Sequence, residues 1–260
     1  MFNRRKHIGL DSGFNSSPLA QRRTSGGGGV YSDTTALHEW HYLNATEVGT
    51  TVTYPDTGSV GGLNMFNPDV ASKPTIASDG IVFDGIANAV TKSVTSFRPL
   101  DATGEIVTVY KLLSGTSIGD FVVQDSSVLI THFFSQFFSN TYRANVNTFD
   151  VPPRRSWRGS TNINNTTTFY TVTYGCTGTS YYIIVSGNNE TITMVVGATN
   201  DGITWTNDFA ANLISIAGLF RTGAANVFAN IKHKYANYRP YTSIAESIAK
   251  NIEINTNVNV

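Results

Sequence analysis

Cysteine is nearly absent from this chain. One thiol, Cys176, among 260 residues excludes an internal disulfide framework and any zinc site built on several thiolates. Charge is scarce as well: Asp, Glu, Lys and Arg make up 14 % of the residues and sum formally to zero. That balance excludes a histone-like basic protein and a charged coiled coil. No apolar run approaches the ~20 residues that a membrane-spanning helix needs. Glutamate is rare, and none of Glu39, Glu47, Glu105, Glu190, Glu246 and Glu253 has a second acid two residues away.

What the chain does contain is β-forming. Thr (33), Asn (24) and Ser (23) accompany 40 % hydrophobic and 12 % aromatic residues, so a full core can form and the chain is no disordered polar polymer. Branched and aromatic side chains fit a pleated surface.

The opening differs from the rest. Arg4, Arg5, Lys6, Arg22 and Arg23 stand against one acid, Asp11, before a glycine hinge, Gly26, Gly27, Gly28 and Gly29. Its basic residues are not followed by the apolar stretch of a secretory signal. The hinge has no Gly-Lys-Ser/Thr after it, so it is not a phosphate loop. Residues 1–36 are therefore expected to form an extended, basic, Gly-rich anchoring arm, and residues 37–260 a separate folded domain.

From Leu37 onward short apolar runs alternate with turn residues. Ile81-Val82-Phe83 lies between Asp79-Gly80 and Asp84-Gly85. Ile106 to Tyr110, Phe121 to Val123, Ser127 to Phe134, Thr167 to Tyr174 and Tyr181 to Val185 follow as strands, with Cys176 in a Gly-rich turn between the last two. Gly187-Asn188-Asn189 makes a hairpin into Thr191 to Val196, and Leu213 to Ile216 and Val227 to His233 are late strands. Ser243-Ile244-Ala245-Glu246 reads as a capping box opening one short helix, with Ile244, Ala245, Ile248, Ala249 and Ile252 as its apolar stripe. The Asn-rich stretches 161–168 and 251–259 read as loop and tail.

This order of features resembles the concanavalin A-like, laminin G-like jelly rolls. Trp40 stands where the family has a Trp-bearing strand, and Asp56-Thr57-Gly58-Ser59 where it has an aspartate before a Gly/Ser turn. Gly80-Ile81-Val82-Phe83-Asp84-Gly85 is similar to a recurrent strand end, and Val227 to Ile231 followed by Tyr241 to Ile252 to the closing strand and helix. The resemblance covers residues 37–254. It implies an all-β jelly-roll sandwich of two antiparallel sheets, with one short C-terminal helix and the extended N-terminal arm.

Candidate chemistry is sparse. Glycoside hydrolysis needs two carboxylates flanking the scissile bond, and the acid spacing offers no pair on one strand. No Gly-x-Ser-x-Gly elbow is present. Cys176 reads as a small semi-buried residue rather than a nucleophile. His38 and His41, flanking Trp40, read as packing residues, and His132 and His233 as hydrogen-bonded fillers in apolar strands. The chain is expected not to be an enzyme and to need no cofactor. Calcium is the one metal that fits, through Asp79, Asp84 and Asn88 or Asn200, Asp201 and Asp208, although the same residues serve as turn formers. Sugars are held by aromatic faces and planar polar groups. Trp157 with Arg154, Arg155 and Arg158, in a loop opened by Pro152-Pro153, and Trp205 are the carbohydrate or interface candidates.

A basic hinged arm, few charges and no catalytic signature resemble phage virion proteins. The leading expectation is a virion structural protein, assembled in host cytoplasm and docked on the particle by its arm, serving assembly or decoration. Its partners would be other virion proteins, further copies of itself and host surface glycans, with no membrane and no nucleic acid. The alternative is a carbohydrate-binding adhesin whose main task is glycan recognition.

Overall fold

In the computed structural model the described residues are 30–97, 103–114, 118–125, 130–138, 141–149, 155–162, 166–177, 181–187, 193–197, 211–220 and 227–259. The first strands are β1 (His38–His41), β2 (Thr46–Val48), β3 (Thr51–Tyr54), β4 (Met65–Phe66), β5 (Thr75–Ala77), β6 (Gly80–Asp84) and β7 (Val90–Phe97). Then come β8 (Gly104–Leu112), β9 (Ile118–Asp125), β10 (Ile130–Phe138), β11 (Thr141–Phe149), β12 (Arg155–Asn162), β13 (Tyr170–Cys176) and β14 (Tyr181–Gly187). The chain closes with β15 (Thr193–Gly197), β16 (Ala211–Ile216), β17 (Gly218–Leu219), β18 (Val227–Phe228), β19 (Asn230–Arg239) and α1 (Ile244–Val258).

These strands form the expected sandwich. One sheet runs β15-β14-β13-β8-β19-β6-β5, with β1 also on β19; the other runs β12-β11-β10-β9-β16-β7-β4-β3-β2. Among the described residues every strand pairing in the two sheets is antiparallel. Between the sheets lie Trp40, Tyr54, Phe83, Ile106, Tyr110, Phe121, Val172, Tyr174, Ile183 and Ile214, all buried. A second, smaller cluster of Val107, Val109, Tyr235, Ile254 and Val258 sits on the far face of the first sheet, where α1 packs. The hairpin of β17 and β18 covers Val122 on the far face of the other.

The residues behind the family resemblance are structural clips. Asp56 accepts the amides of Glu39, Gly58 and Leu63 and sits 2.7 Å from His38 Nδ1, while Trp40 Nε1 donates to Leu63 O. Burial works against the Asp56 carboxylate, but these hydrogen bonds outweigh it and hold its pKa below the usual range. Gly58 is required there, because a Cβ would run into the backbone of Leu37 and His38.

Four readings of the sequence need correction. β7, β11 and β12 are strands that short apolar runs do not announce. Cys176 ends β13 fully buried instead of lying in a turn. The supposed tail from Asn251 is helix as far as Val258. Finally, α1 does not face the sheet with its Ile/Ala stripe. Ser243 caps it as expected, its Oγ accepting from Glu246 N at 3.2 Å. The buried side chains, however, are Ser247, Asn251, Ile254 and Val258, whereas Ala245, Ala249 and Ile252 are exposed. Sheet polarity decides this. Asn251 Nδ2 donates to Thr173 Oγ1 at 2.9 Å and its Oδ1 accepts from Ser186 at 2.6 Å, so a polar helix face meets a polar patch of strand.

Strand β19 positions everything that follows. Its register breaks between His233 and Tyr235, a β-bulge. Before the break Ile231 and His233 face the inter-sheet core, and His233 Nδ1 lies 3.2 Å from the Tyr54 hydroxyl. After it Ala236 faces that core, and Tyr235, Asn237 and Arg239 turn toward α1. On the side opposite β8, β6 pairs with the first half of β19 and β1 with the second.

Burial holds two histidines neutral: the pKa of His41 falls to about 4 and that of His233 to about 3. In the unfolded chain both protonate near 6.5, so their contribution is complete above that pH and is lost as pH falls toward 4 and then 3. Urea unfolding should therefore show a loss on the order of 2 kcal/mol per histidine between pH 7 and pH 4.5. His233→Gln should be less stable at pH 7 but flatter over that window; an equally steep profile would contradict this assignment.

Candidate functional site

The bulge delivers Tyr235, Asn237 and Arg239 to a buried polar network beneath α1. Glu39 arrives from β1, Glu105 from β8, Tyr182 from β14, Ser247 and Lys250 from α1, and Asp33 from the segment before β1. Of residues 1–36, the described part, 30–36, is joined to the sandwich here: Tyr31 packs on Tyr235 with ring centroids 5.9 Å apart, and Asp33 is buried. Glu39 Oε1 accepts from Tyr235 Oη at 2.6 Å and Asp33 N at 2.7 Å, and Oε2 accepts from Ser32 Oγ at 2.8 Å. Asn237 Nδ2 donates to Asp33 Oδ2 at 3.0 Å.

Arg239 closes the arrangement. Its Nη2 meets Glu105 Oε2 at 2.5 Å and its Nη1 lies 3.8 Å from Asp33 Oδ2. Lys250 Nζ stands 3.5 Å from Asp33 Oδ1 and 3.0 Å from Glu253 Oε2, and these acids outweigh burial to raise its pKa. The Tyr182 and Ser247 hydroxyls both reach Glu105 Oε1. Burial first, and then the neighbouring carboxylate, drives the Tyr182 and Tyr235 phenols far above their ordinary range, so both stay donors. The Tyr182 ring lies across Gly175, where a Cβ would collide with it. Asp33 thus has two cations near it and Glu105 one, while Glu39 is compensated by hydrogen bonds from hydroxyl and backbone groups.

Arg239 also forms part of the wall of a surface cleft of ≈ 350 Å³, together with Thr35, Pro240, Thr242, Ser243 and Glu246. The cleft stands where segment 30–36, the end of β19 and the first turn of α1 converge.

Of the residues singled out from the sequence, Arg155, Trp157 and Arg158 lie on β12, so the expected loop is a strand from Arg155 onward. There Thr148 pairs with Arg155, Val146 with Trp157 and Asn145 with Arg158. β12 is the last strand of its sheet, hydrogen-bonded to β11 on one side, and runs near β14 and β15 of the other sheet. Arg154, Trp205, the arm residues Arg4, Arg5, Lys6, Arg22, Arg23 and Gly26 to Gly29, and the calcium candidates Asn200, Asp201 and Asp208 lie outside the described residues. Asp79 and Asp84 do not share one loop: they stand at opposite ends of β6. Asp79 Oδ1 is 2.6 Å from Lys232 Nζ, and Asp84 Oδ1 takes the amides of Ile86, Ala87 and Asn88. Among the described residues no group of three or more His, Cys, Asp or Glu could hold a metal ion.

Sequence reasoning missed the network. Its signal was an ionisable residue beside an apolar run: Glu105 opens Ile106 to Tyr110, and Glu39 and Arg239 border buried aromatics.

No protein-family model matches this chain, and no curated protein matches it in sequence. Solved structures do. It is similar to Trypanosoma rangeli sialidase in complex with 2-keto-3-deoxy-D-glycero-D-galacto-2,3-difluoro-nononic acid, with a TM-score of 0.55 and 10 % identity over 94 % of this chain and 36 % of that one. It is similar to the same sialidase in complex with sialic acid, with a TM-score of 0.54 and 10 % identity over 88 % of this chain and 34 % of that one. The covalent intermediate with 2,3-difluorosialic acid gives 0.54 at 11 % identity, over 94 % and 36 %. The likeness is one of fold, and the chain spans about a third of the length of the sialidase structures it matches. It nonetheless overturns the expectation that the chain is not an enzyme. The fold occurs here within chains of enzymes, and the argument from acid spacing along one strand fails physically, since Asp33, Glu39 and Glu105 converge from three separate elements.

Tyr235→Phe removes one donor from Glu39 and the hydroxyl oxygen that accepts from Asn237 Nδ2 at 3.0 Å. It should cost about 1–3 kcal/mol in urea unfolding, because the carboxylate stays buried. No measurable loss would show that the buried Glu39 carboxylate does not depend on the Tyr235 phenol.

Proposed function

We propose that this chain binds carbohydrate. The observation that carries the reading is the position of Trp157 on β12, with Arg155 and Arg158 on the same strand, which among the described residues pairs with β11 alone. An indole face and planar guanidinium groups are what sugar rings and their hydroxyls require. The sandwich shared with a sialidase solved in complex with sialic acid supports the same reading. Arg154 and Trp205 belong to it as further candidate contacts. The virion role draws nothing from these matches and rests on sequence features alone, the basic hinged arm, the scarcity of charge and the missing catalytic signature, so glycan recognition stands ahead of it.

A glycan array probed with the purified chain, followed by calorimetry on the best ligand, tests this. Trp157→Ala should weaken binding roughly tenfold or more, as loss of a stacking anchor does, and leave the melting temperature unchanged. Full affinity in that variant, or an array without binding, would overturn the proposal.

A further inference from the structure

We infer that the cleft at the start of α1 is a second carbohydrate subsite, one that takes a neutral, hydroxyl-rich sugar ring. The inference rests on the carbohydrate-binding reading but on a different part of the molecule. Its argument is the chemistry of the wall. Thr35, Thr242 and Ser243 contribute three hydroxyls, and Pro240 contributes an apolar ring surface. The Thr35 hydroxyl donates to Asp33 Oδ1 at 2.7 Å and so offers a ligand its acceptor lone pairs, while Ser243 Oγ accepts from Glu246 N and offers its proton. The two charged groups of the wall, the Arg239 guanidinium and the Glu246 carboxylate, oppose one another. An anion would meet Glu246 and the acid-rich network behind Arg239; a cation would meet the guanidinium. A neutral polyol meets neither penalty.

Arg239 adds a second, independent observation. It is 3 % exposed and lines the cleft, and its Nε–H has no hydrogen-bond partner among the described residues. Buried polar atoms are nearly always paired. An unmet buried donor on a wall residue is a demand that a ligand hydroxyl satisfies by accepting. The volume of ≈ 350 Å³ lies near the lower end for small-molecule sites and suits one ring in preference to a chain. Ser243 and the first turn of the helix are fixed by the cap, so the wall is formed before any ligand arrives.

The test is an NMR titration of the full chain with D-galactose, D-mannose and N-acetyl-D-glucosamine as neutral probes, and N-acetylneuraminic acid and D-glucosamine as charged ones. At least one neutral sugar should bind. A Thr35→Val/Thr242→Val double variant should weaken that binding roughly tenfold or more, and Thr35→Ser/Thr242→Ser should retain it. Retention in the serine variant separates a lost hydroxyl contact from a damaged fold. Binding of charged probes only, or neutral binding that survives the valine substitutions, would overturn the cleft assignment. Sugar binding abolished by Trp157→Ala and untouched by the valine pair would overturn the cleft and leave the carbohydrate reading standing. No binding of any sugar by the wild-type chain would end both.

Discussion

The guanidinium of Arg239 is the group on which the outer face of the first sheet depends. It stands between two buried carboxylates, Asp33 from the segment before β1 and Glu105 from a central strand, that are far apart in sequence. Buried carboxylates need both an opposite charge and donors to fill their lone pairs, and a planar fork can supply several at once. Remove that cation and Asp33 keeps Lys250 as its only nearby positive charge, while Glu105 keeps two hydroxyls. The arrangement exists because β19 carries a bulge. One extra residue between His233 and Tyr235 exchanges the two faces of the strand, so that its first half feeds the inter-sheet core and its second half the network.

That economy links fold to site. Segment 30–36, β1, β8, β14, β19 and α1 meet over one polar floor, and the cleft opens at its margin. The helix is held by polar contacts as much as by apolar ones, Ser247 and Asn251 in its first half and Ile254 and Val258 in its second. A site built on strands and a capped helix turn is stiffer than one built on loops. The candidate sugar contacts of β12 lie on the other sheet, so the two proposed binding regions stand on separate supports.

Much of the architecture was legible in the sequence. Gly80 to Asp84 and Ile106 to Tyr110 carry turn chemistry next to alternating or branched apolar residues and fold as strands, and the runs on either side of 188–192 pair antiparallel as β14 and β15. β11 and β12 were not legible, because Thr-Tyr-Arg-Ala-Asn-Val-Asn and Arg-Ser-Trp-Arg are polar sequences that become strands by pairing with neighbours. The face of α1 was misread for a related reason: an Ile/Ala stripe is the usual inward face of a helix, but this sheet presents Thr171, Thr173 and Ser186 to it. The network was invisible for a third reason. A bulge leaves no mark in residue spacing, and carboxylates that meet only after folding share no motif. The expectation of no enzymatic activity failed on that same point.

A double-mutant cycle on Arg239 and Glu105 tests the account most directly. With Arg239→Met, Glu105→Gln and both together, urea unfolding should give large losses for each single change and a coupling energy of about 2 kcal/mol or more between them, as for a buried pair whose partner is left uncompensated. Additive losses, with coupling under about 0.5 kcal/mol, would show that the guanidinium does not hold the carboxylates together, and the site built around it would have to be abandoned.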